Sequence, residues 1–171
     1  LGTVNNRNLP FYQACIEALR QESIPVVISV GEQTGLSAFR DVPEHIFLRP
    51  RVDQLAVLAR ASVFVTHCGM NSASEGLYFG VPLVLYPQQA EQGLVARRVE
   101  ELGAGLRLRR ASPEAIRAAV RQVREQQSYR SRAREIAAGF RDAGGYRRGA
   151  DKILEAAARG GGACAENPPM L

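Results

Sequence analysis

The sequence is poor in residues on which several protein classes depend. Among 171 residues there is no tryptophan, and there are only three cysteines, two histidines and a single lysine, Lys152, in 22 basic residues. The cysteines (Cys15, Cys68 and Cys164) are odd in number and widely spaced. That excludes a disulfide scaffold, offers no metal-ligand spacing and reads as reduced thiols of a cytosolic protein. No apolar run approaches the ~18 residues of a membrane span; Val81–Tyr86 is among the longest. Aromatics make up 6% of the chain, and no nucleic-acid motif is present. The formal charge of +5 is uneven: residues 1–90 hold 6 Arg against 7 acids, residues 91–171 hold 16 basic residues against 10 acids. Because 21 of the 22 basic residues are Arg, the excess reads as codon composition and a solvated face rather than phosphate contacts. The chain starts at Leu1 with no basic or long apolar leader, so the expectation is a soluble cytoplasmic protein cut from a longer one.

What is present is enough apolar residue for one domain. Hydrophobic residues are 46% and charged residues 23%, and a folded chain of this size buries ~70% of its unfolded surface. Short β-type runs at Pro25–Val30, Ile46–Leu48, Ser62–Thr66, Pro82–Tyr86 and Gly105–Leu108 alternate with helical patterns. The helices are expected at Pro10–Gln21, Gln54–Arg60, Asn71–Phe79, Gln92–Leu102, Pro113–Arg124, Tyr129–Phe140 and Tyr146–Ala158. This alternation predicts an α/β domain, a Rossmann-like parallel sheet flanked by helices, over residues 1–158. Leu1-Gly2-Thr3 reads as the end of a strand whose body is truncated, and residues 159–171, with Gly160-Gly161-Gly162 and Pro168-Pro169, as a disordered tail. Ligands of such sheets bind at the carboxyl ends of the strands.

The chemistry concentrates in one strand-to-helix passage, Phe64-Val65-Thr66-His67-Cys68-Gly69-Met70-Asn71-Ser72-Ala73-Ser74-Glu75. A helix start offers unpaired amides and a positive dipole end, and Gly69 lets an anion approach the backbone. His67, Asn71 and Ser72 add side-chain donors, so the passage can cradle a diphosphate. Glu75 lies four residues after Asn71, ~6 Å along the same helix face, where a carboxylate can accept from ribose hydroxyls. Alone, each of these residues could as well be satisfying local groups; together they describe a nucleotide. A second polar group, Pro87-Gln88-Gln89-Ala90-Glu91-Gln92, follows the next strand. Glu91 and Gln92 there could bond sugar hydroxyls, or equally Glu91 could cap a helix with Gln92 solvated.

The segment Arg49–Gly105 resembles the donor-binding signature of family 1 nucleotide-sugar glycosyltransferases, in particular the bacterial macrolide group. The likeness rests on Val52-Asp53-Gln54-Leu55, His67–Glu75, Gly80-Val81-Pro82, Pro87-Gln88, Glu91-Gln92 and Arg98–Gly105. Leu1-Gly2-Thr3-Val4 and Gly144-Gly145-Tyr146 also resemble family landmarks. It implies the C-terminal half of a GT-B fold, two Rossmann-like halves facing a cleft. By this resemblance Thr3, His67, Gly69, Asn71 and Ser72 hold the diphosphate and Glu75 the ribose. Arg51, Val52 and Gln54 border the base, and Glu91 with Gln92 hold the transferred sugar. The implied reaction is inverting transfer of a hexose from a UDP-sugar (or a dTDP-sugar) to a hydroxyl of a small acceptor such as a macrolide, with no metal and no other cofactor. Arg51 and Asp53 depart from the family, which often has an aromatic residue and a proline there; the Arg51 guanidinium plane can still stack on a base. The catalytic base is expected in an N-terminal acceptor-binding domain, supplied in the same chain or as a separate subunit of a two-component enzyme. Neither His45 nor His67 matches it, so this chain alone should bind a donor without turning it over.

Two other classes find little support. A hydrolase using Cys68 or Ser72 lacks a Gly-x-Ser-x-Gly elbow and a matching base. A dehydrogenase lacks the Gly-x-Gly-x-x-Gly turn after a strand.

Overall fold

The computed structural model describes residues 8–160, and within them strand and helix alternate as the sequence pattern requires. Helix α1 (Leu9–Leu19) is opened by Asn8, whose side chain accepts the Phe11 amide at 3.1 Å, and by Pro10 in the first turn. Then come β1 (Val26–Ser29), a short 3-10 turn at Leu36–Ala38, β2 (Ile46–Arg49) and α2 (Gln54–Leu58). They are followed by β3 (Phe64–Thr66), α3 (Met70–Tyr78), β4 (Leu83–Leu85), α4 (Ala90–Glu101) and β5 (Gly105–Arg107). Three helices close the described chain: α5 (Pro113–Glu125), α6 (Gln127–Asp142) and α7 (Gly145–Gly160). Every strand and helix expected within residues 8–160 is present, with ends shifted by at most two residues. The 3-10 turn was not foreseen.

Among the described residues all strand pairings are parallel, in two ladders. β1 pairs with β2 (Val26 opposite Ile46), and β3-β4-β5 form a three-stranded sheet with Thr66 opposite Leu85 and Leu85 opposite Arg107. Among the described residues β1 and β3 are not laddered to one another. β4, flanked by β3 and β5, is buried throughout, whereas Val27 of β1 is 43% exposed. The expected strand end at Leu1-Gly2-Thr3 lies outside the described residues.

One core cluster joins α1 and α5 to both sheets through Phe11, Ile16, Val30, Ile46, Val84 and Ile116. Phe11 stacks on Tyr86 with ring centroids 4.4 Å apart. Glu22, its side chain 5% exposed, is held by Arg121 and Arg124 of α5 at 2.7 and 3.1 Å, fastening the end of α1 to α5. A second cluster packs α3 and α4 on the other face through Ala73, Leu77, Leu83, Leu85, Ala96 and Val99. An alanine Cβ at Gly76 would lie 2.9 Å from Leu83 and 3.1 Å from Phe64, so a glycine there lets α3 lie directly on its sheet. That close seating fixes the start of α3 at the carboxyl end of β3.

The packing divides the chain into two compact units, one to Ala137 and one from Ala138, within what the sequence reading treats as one domain. The second contains the end of α6 and α7. Gly144 and Gly145, both at positive φ, make the turn between those helices. α7 carries Tyr146, Ile153 and Leu154 largely exposed. No described helix is long and apolar enough to cross a membrane.

Candidate functional site

The loops after β2, β3 and β4 carry the candidate residues, and the parallel register sets the last two side by side. After Thr66 the chain turns within three residues into α3. Thr66 is buried, and its hydroxyl accepts the Cys68 amide at 3.2 Å while its carbonyl accepts from the Cys68 thiol at 3.6 Å. Cys68 itself is left-handed (φ 68°), an uncommon conformation for a residue with a side chain. α3 then begins at Gly69 with no side chain bonded to its first amides, although Ala73 N–H already closes the first turn on Gly69 O at 3.0 Å. A helix start with free amides and its dipole end presented is able to bind an anion.

His67 stands over that start. An alanine Cβ at Gly69 would lie 2.6 Å from His67 Nε2, so only glycine lets the imidazole lie there. The ring is half-buried, and that desolvation lowers its pKa below the ordinary histidine value. His67 is therefore a neutral imidazole near pH 7. The other histidine, His45, is tied to Leu19 O at 3.0 Å, far from this loop in sequence and in role.

One turn along α3 the structure adds a partner. Gln54, the first residue of α2, donates from Nε2 to Glu75 Oε2 at 2.5 Å and lies 3.4 Å from Ser72 Oγ. Ser72, Glu75 and Gln54 are thus one bonded group. Gln54, expected beside the base, turns its amide toward the residues expected to hold ribose and diphosphate. Asp53 accepts the Ala56 amide at 3.0 Å and caps α2, so this departure from the family pattern has a structural occupation. An aspartate directly before an apolar helical stretch is a cap signal that a reading by family likeness passed over. Arg51 is exposed and Val52 half-buried in the same loop; Asn71 is exposed on the first turn of α3.

At the next junction, Glu91 is exposed in the first turn of α4, but Gln92 is buried and its Oε1 accepts the Gln88 amide at 2.8 Å. Gln92 is neither solvated nor wholly free for a ligand: one end of its amide is used by the loop. Gln88 Nε2 is buried without a hydrogen-bond partner. Thr3 lies outside the described residues. Among the described residues, no group of three or more His, Cys, Asp or Glu is placed to hold a metal ion. Cys68 is fully buried, and burial pushes its thiol up to about 12, so it is protonated and unsuited to nucleophilic attack.

Residues 14–143 match the family model described as erythromycin biosynthesis protein CIII-like, C-terminal domain. A UDP-glucosyltransferase of Bacillus subtilis, YojK, named as uncharacterized, is 41% identical over 158 residues, covering 91% of this chain and 39% of that protein. Two solved structures superpose with TM-scores of 0.85. The glycosyltransferase of kitacinnamycin is 34% identical over 91% of this chain and 41% of its own length. The calicheamicin glycosyltransferase CalG4 is 29% identical over 93% of this chain and 42% of its own. The chain therefore spans about two fifths of the length of these relatives. Matched over most of its length by the family model and by a close relative, the chain belongs to the erythromycin biosynthesis protein CIII-like C-terminal domains, the C-terminal half of family 1 GT-B glycosyltransferases.

Proposed function

We infer that this chain binds the nucleotide-sugar donor of an inverting glycosyltransferase that moves a hexose to a hydroxyl of a small natural-product acceptor such as a macrolide. The observation that carries the reading is the uncapped start of α3 under His67, followed one turn later by a carboxylate held in place. A phosphate acceptor set followed by a ribose acceptor is the order in which a nucleoside diphosphate presents its groups. UDP is the preferred nucleotide, with Arg51 stacked on the base and Glu91 and the remaining Nε2 of Gln92 toward the sugar. The acceptor pocket and the general base come from an N-terminal half, and the reaction takes place in the cytoplasm.

The chemistry follows from charge. Breaking the anomeric bond places a negative charge on the departing diphosphate. The amides at the start of α3 and the N–H of a neutral His67 are aimed at that charge before it forms and need not reorganise. The reading assigns this stabilisation to the helix start and the imidazole, not to a metal ion. Because His67 serves the leaving group, it is not the base, and this chain alone binds without turnover.

Calorimetric titration with UDP, dTDP, GDP and NAD, repeated on Glu75→Ala, tests the reading. UDP is expected to bind tightest, and the substitution to weaken it by about 1–3 kcal/mol, as for loss of a charge-assisted bond. A folded chain that binds none of the four nucleotides would sink the donor-site reading.

A further inference from the structure

Thr66, the last residue of β3, is 3% exposed and lies beneath the candidate site rather than in it. Three bonds meet on it. Its carbonyl accepts the Tyr86 amide at 2.8 Å, which ties the end of β3 to the end of β4. The same carbonyl accepts from the Cys68 thiol at 3.6 Å, and the hydroxyl accepts the Cys68 amide at 3.2 Å. A threonine hydroxyl bonded to the amide two residues on closes a turn in which a side chain stands in for backbone. The residue enclosed by this turn is His67. The hydroxyl fixes the plane of the peptide between His67 and Cys68, and the carbonyl takes the thiol. Both ends of the Cys68 N–Cα bond are thereby held, at a φ of 68° that strains a residue bearing a Cβ. Such strain persists only where the surroundings over-determine it.

We propose that Thr66 is a positioning residue: by imposing the left-handed turn at Cys68 it holds the His67 imidazole over the start of α3. The proposal rests on the donor-site reading above and deepens it. Imidazoles at working sites are commonly aimed by a hydrogen bond on the second ring nitrogen. Among the described residues no hydrogen bond holds the His67 ring; it lies against Gly69, where an added Cβ would fall 2.6 Å from Nε2. The ring is therefore aimed through its backbone, and the backbone through Thr66. Valine at position 66 keeps the volume and leaves the buried Cys68 amide without its acceptor, which is costly. Cys68 then relaxes toward negative φ, the peptide before it turns, and the imidazole leaves Gly69 for solvent. Glycine at position 68 enters the left-handed region without strain, so it makes the Thr66 hydroxyl largely dispensable.

The test follows the imidazole directly. The chain has two histidines, so the ring proton NMR signals of His45 and His67 are titrated with pH in the free chain, and UDP binding is measured by calorimetry in parallel. Wild type, Thr66→Val, Thr66→Ser and the double variant Thr66→Val/Cys68→Gly are compared, with melting temperature as a check on folding. In wild type the His67 midpoint is expected below the ordinary histidine value, because the ring is half-buried. In Thr66→Val it should return to about 6.5, with the His45 signal unmoved. UDP affinity should fall about tenfold, as for one lost hydrogen bond to a charged group. Thr66→Ser, which keeps the hydroxyl, should retain the wild-type midpoint and affinity. The double variant should regain both, although the cavity left by the cysteine lowers its melting temperature. If Thr66→Val does not fold, Thr66→Ala carries the same expectation. A His67 midpoint and a UDP affinity unchanged by loss of the hydroxyl overturn the proposal and leave the donor site standing. Thr66→Ser failing as valine does, or a double variant no better than Thr66→Val, also overturns it. Wild type that binds no UDP removes the donor-site reading, and the His67 midpoint in the free chain still decides whether Thr66 holds the ring.

Discussion

Two helix starts in this chain, α3 and α5, follow parallel strands of one sheet and are finished in opposite ways. At α5 Ser112 accepts the Ala115 amide at 3.3 Å, Pro113 supplies a residue with no amide to satisfy, and Glu114 places negative charge in the first turn. Its carboxyl is held below the usual range by its own backbone amide and by Ser112. At α3 the cap is Gly69 with no side-chain bond, the first turn holds no acid, and an imidazole lies over the opening. A helix that serves only the fold satisfies its own start, because each orphan amide costs free energy. Under the donor-site reading, α3 leaves its start open for the diphosphate, whereas α5 closes its own.

The contrast is broken most severely by Gly69→Ala. The added Cβ would fall 2.6 Å from His67 Nε2, so either the imidazole or the helix start must move. Loss of UDP affinity by about 10- to 100-fold is expected, matching one or two charge-assisted bonds at ~1.4 kcal/mol per tenfold. Gly69→Ala binding UDP like wild type in titration calorimetry would mean that His67 does not guard the helix start. A smaller and more telling effect is expected of Ser72→Asp. A carboxylate in the first turn of α3 favours the helix by ~0.3–1 kcal/mol, so the variant should melt higher and bind the diphosphate worse. The counterpart, Ser112→Ala at α5, should cost about 1 kcal/mol of stability and leave UDP binding alone. Thermal melts with and without UDP read all four outcomes, and parallel behaviour of the two helices would remove the distinction.

How far the sequence shows this depends on the range of each interaction. β4 is legible because an apolar run entirely inside a sheet needs no partner to identify it, and the α5 cap because Ser112-Pro113-Glu114 is contiguous. His67, Gly69 and Glu75 are legible because strand, turn and helix face fix their spacing locally. The 3-10 turn at Leu36–Ala38 is not, since no apolar period marks so short an element. Nor is the Gln54–Glu75 bond, which joins residues 21 apart on different helices. Left-handed Cys68 escaped because cysteine is not a residue that marks such turns; its conformation is imposed by Thr66, whose hydroxyl accepts its amide. Gln92 was open between two roles, and the structure gives it part of a third: it is buried and bonds Gln88. This side chain reaches back past the Gln89 cap to the residue before it, a contact that only coordinates could separate from a ligand contact.

A further expected effect concerns the imidazole over α3, and its sign follows from burial. Desolvation lowers the pKa of His67 in the free chain, so the neutral ring contributes stability above the unfolded value of ~6.5 and loses it as pH falls below. A bound diphosphate reverses the balance, because two negative phosphates beside the ring favour its charged form. Binding should therefore take up protons, and affinity should rise as pH falls through the pKa of the bound state, levelling off below that of the free state. A UDP-sugar is the right probe, since both its phosphates are diesters and neither titrates in this range. A one-unit separation between free and bound pKa corresponds to about tenfold in affinity. Titrations in buffers of different ionisation enthalpy measure the uptake directly, and His67→Gln should abolish it while leaving the α5 start untouched. Binding that releases protons, or an uptake that survives His67→Gln, would show that the ring does not face the phosphates, and α3 would then differ from α5 by its open amides alone.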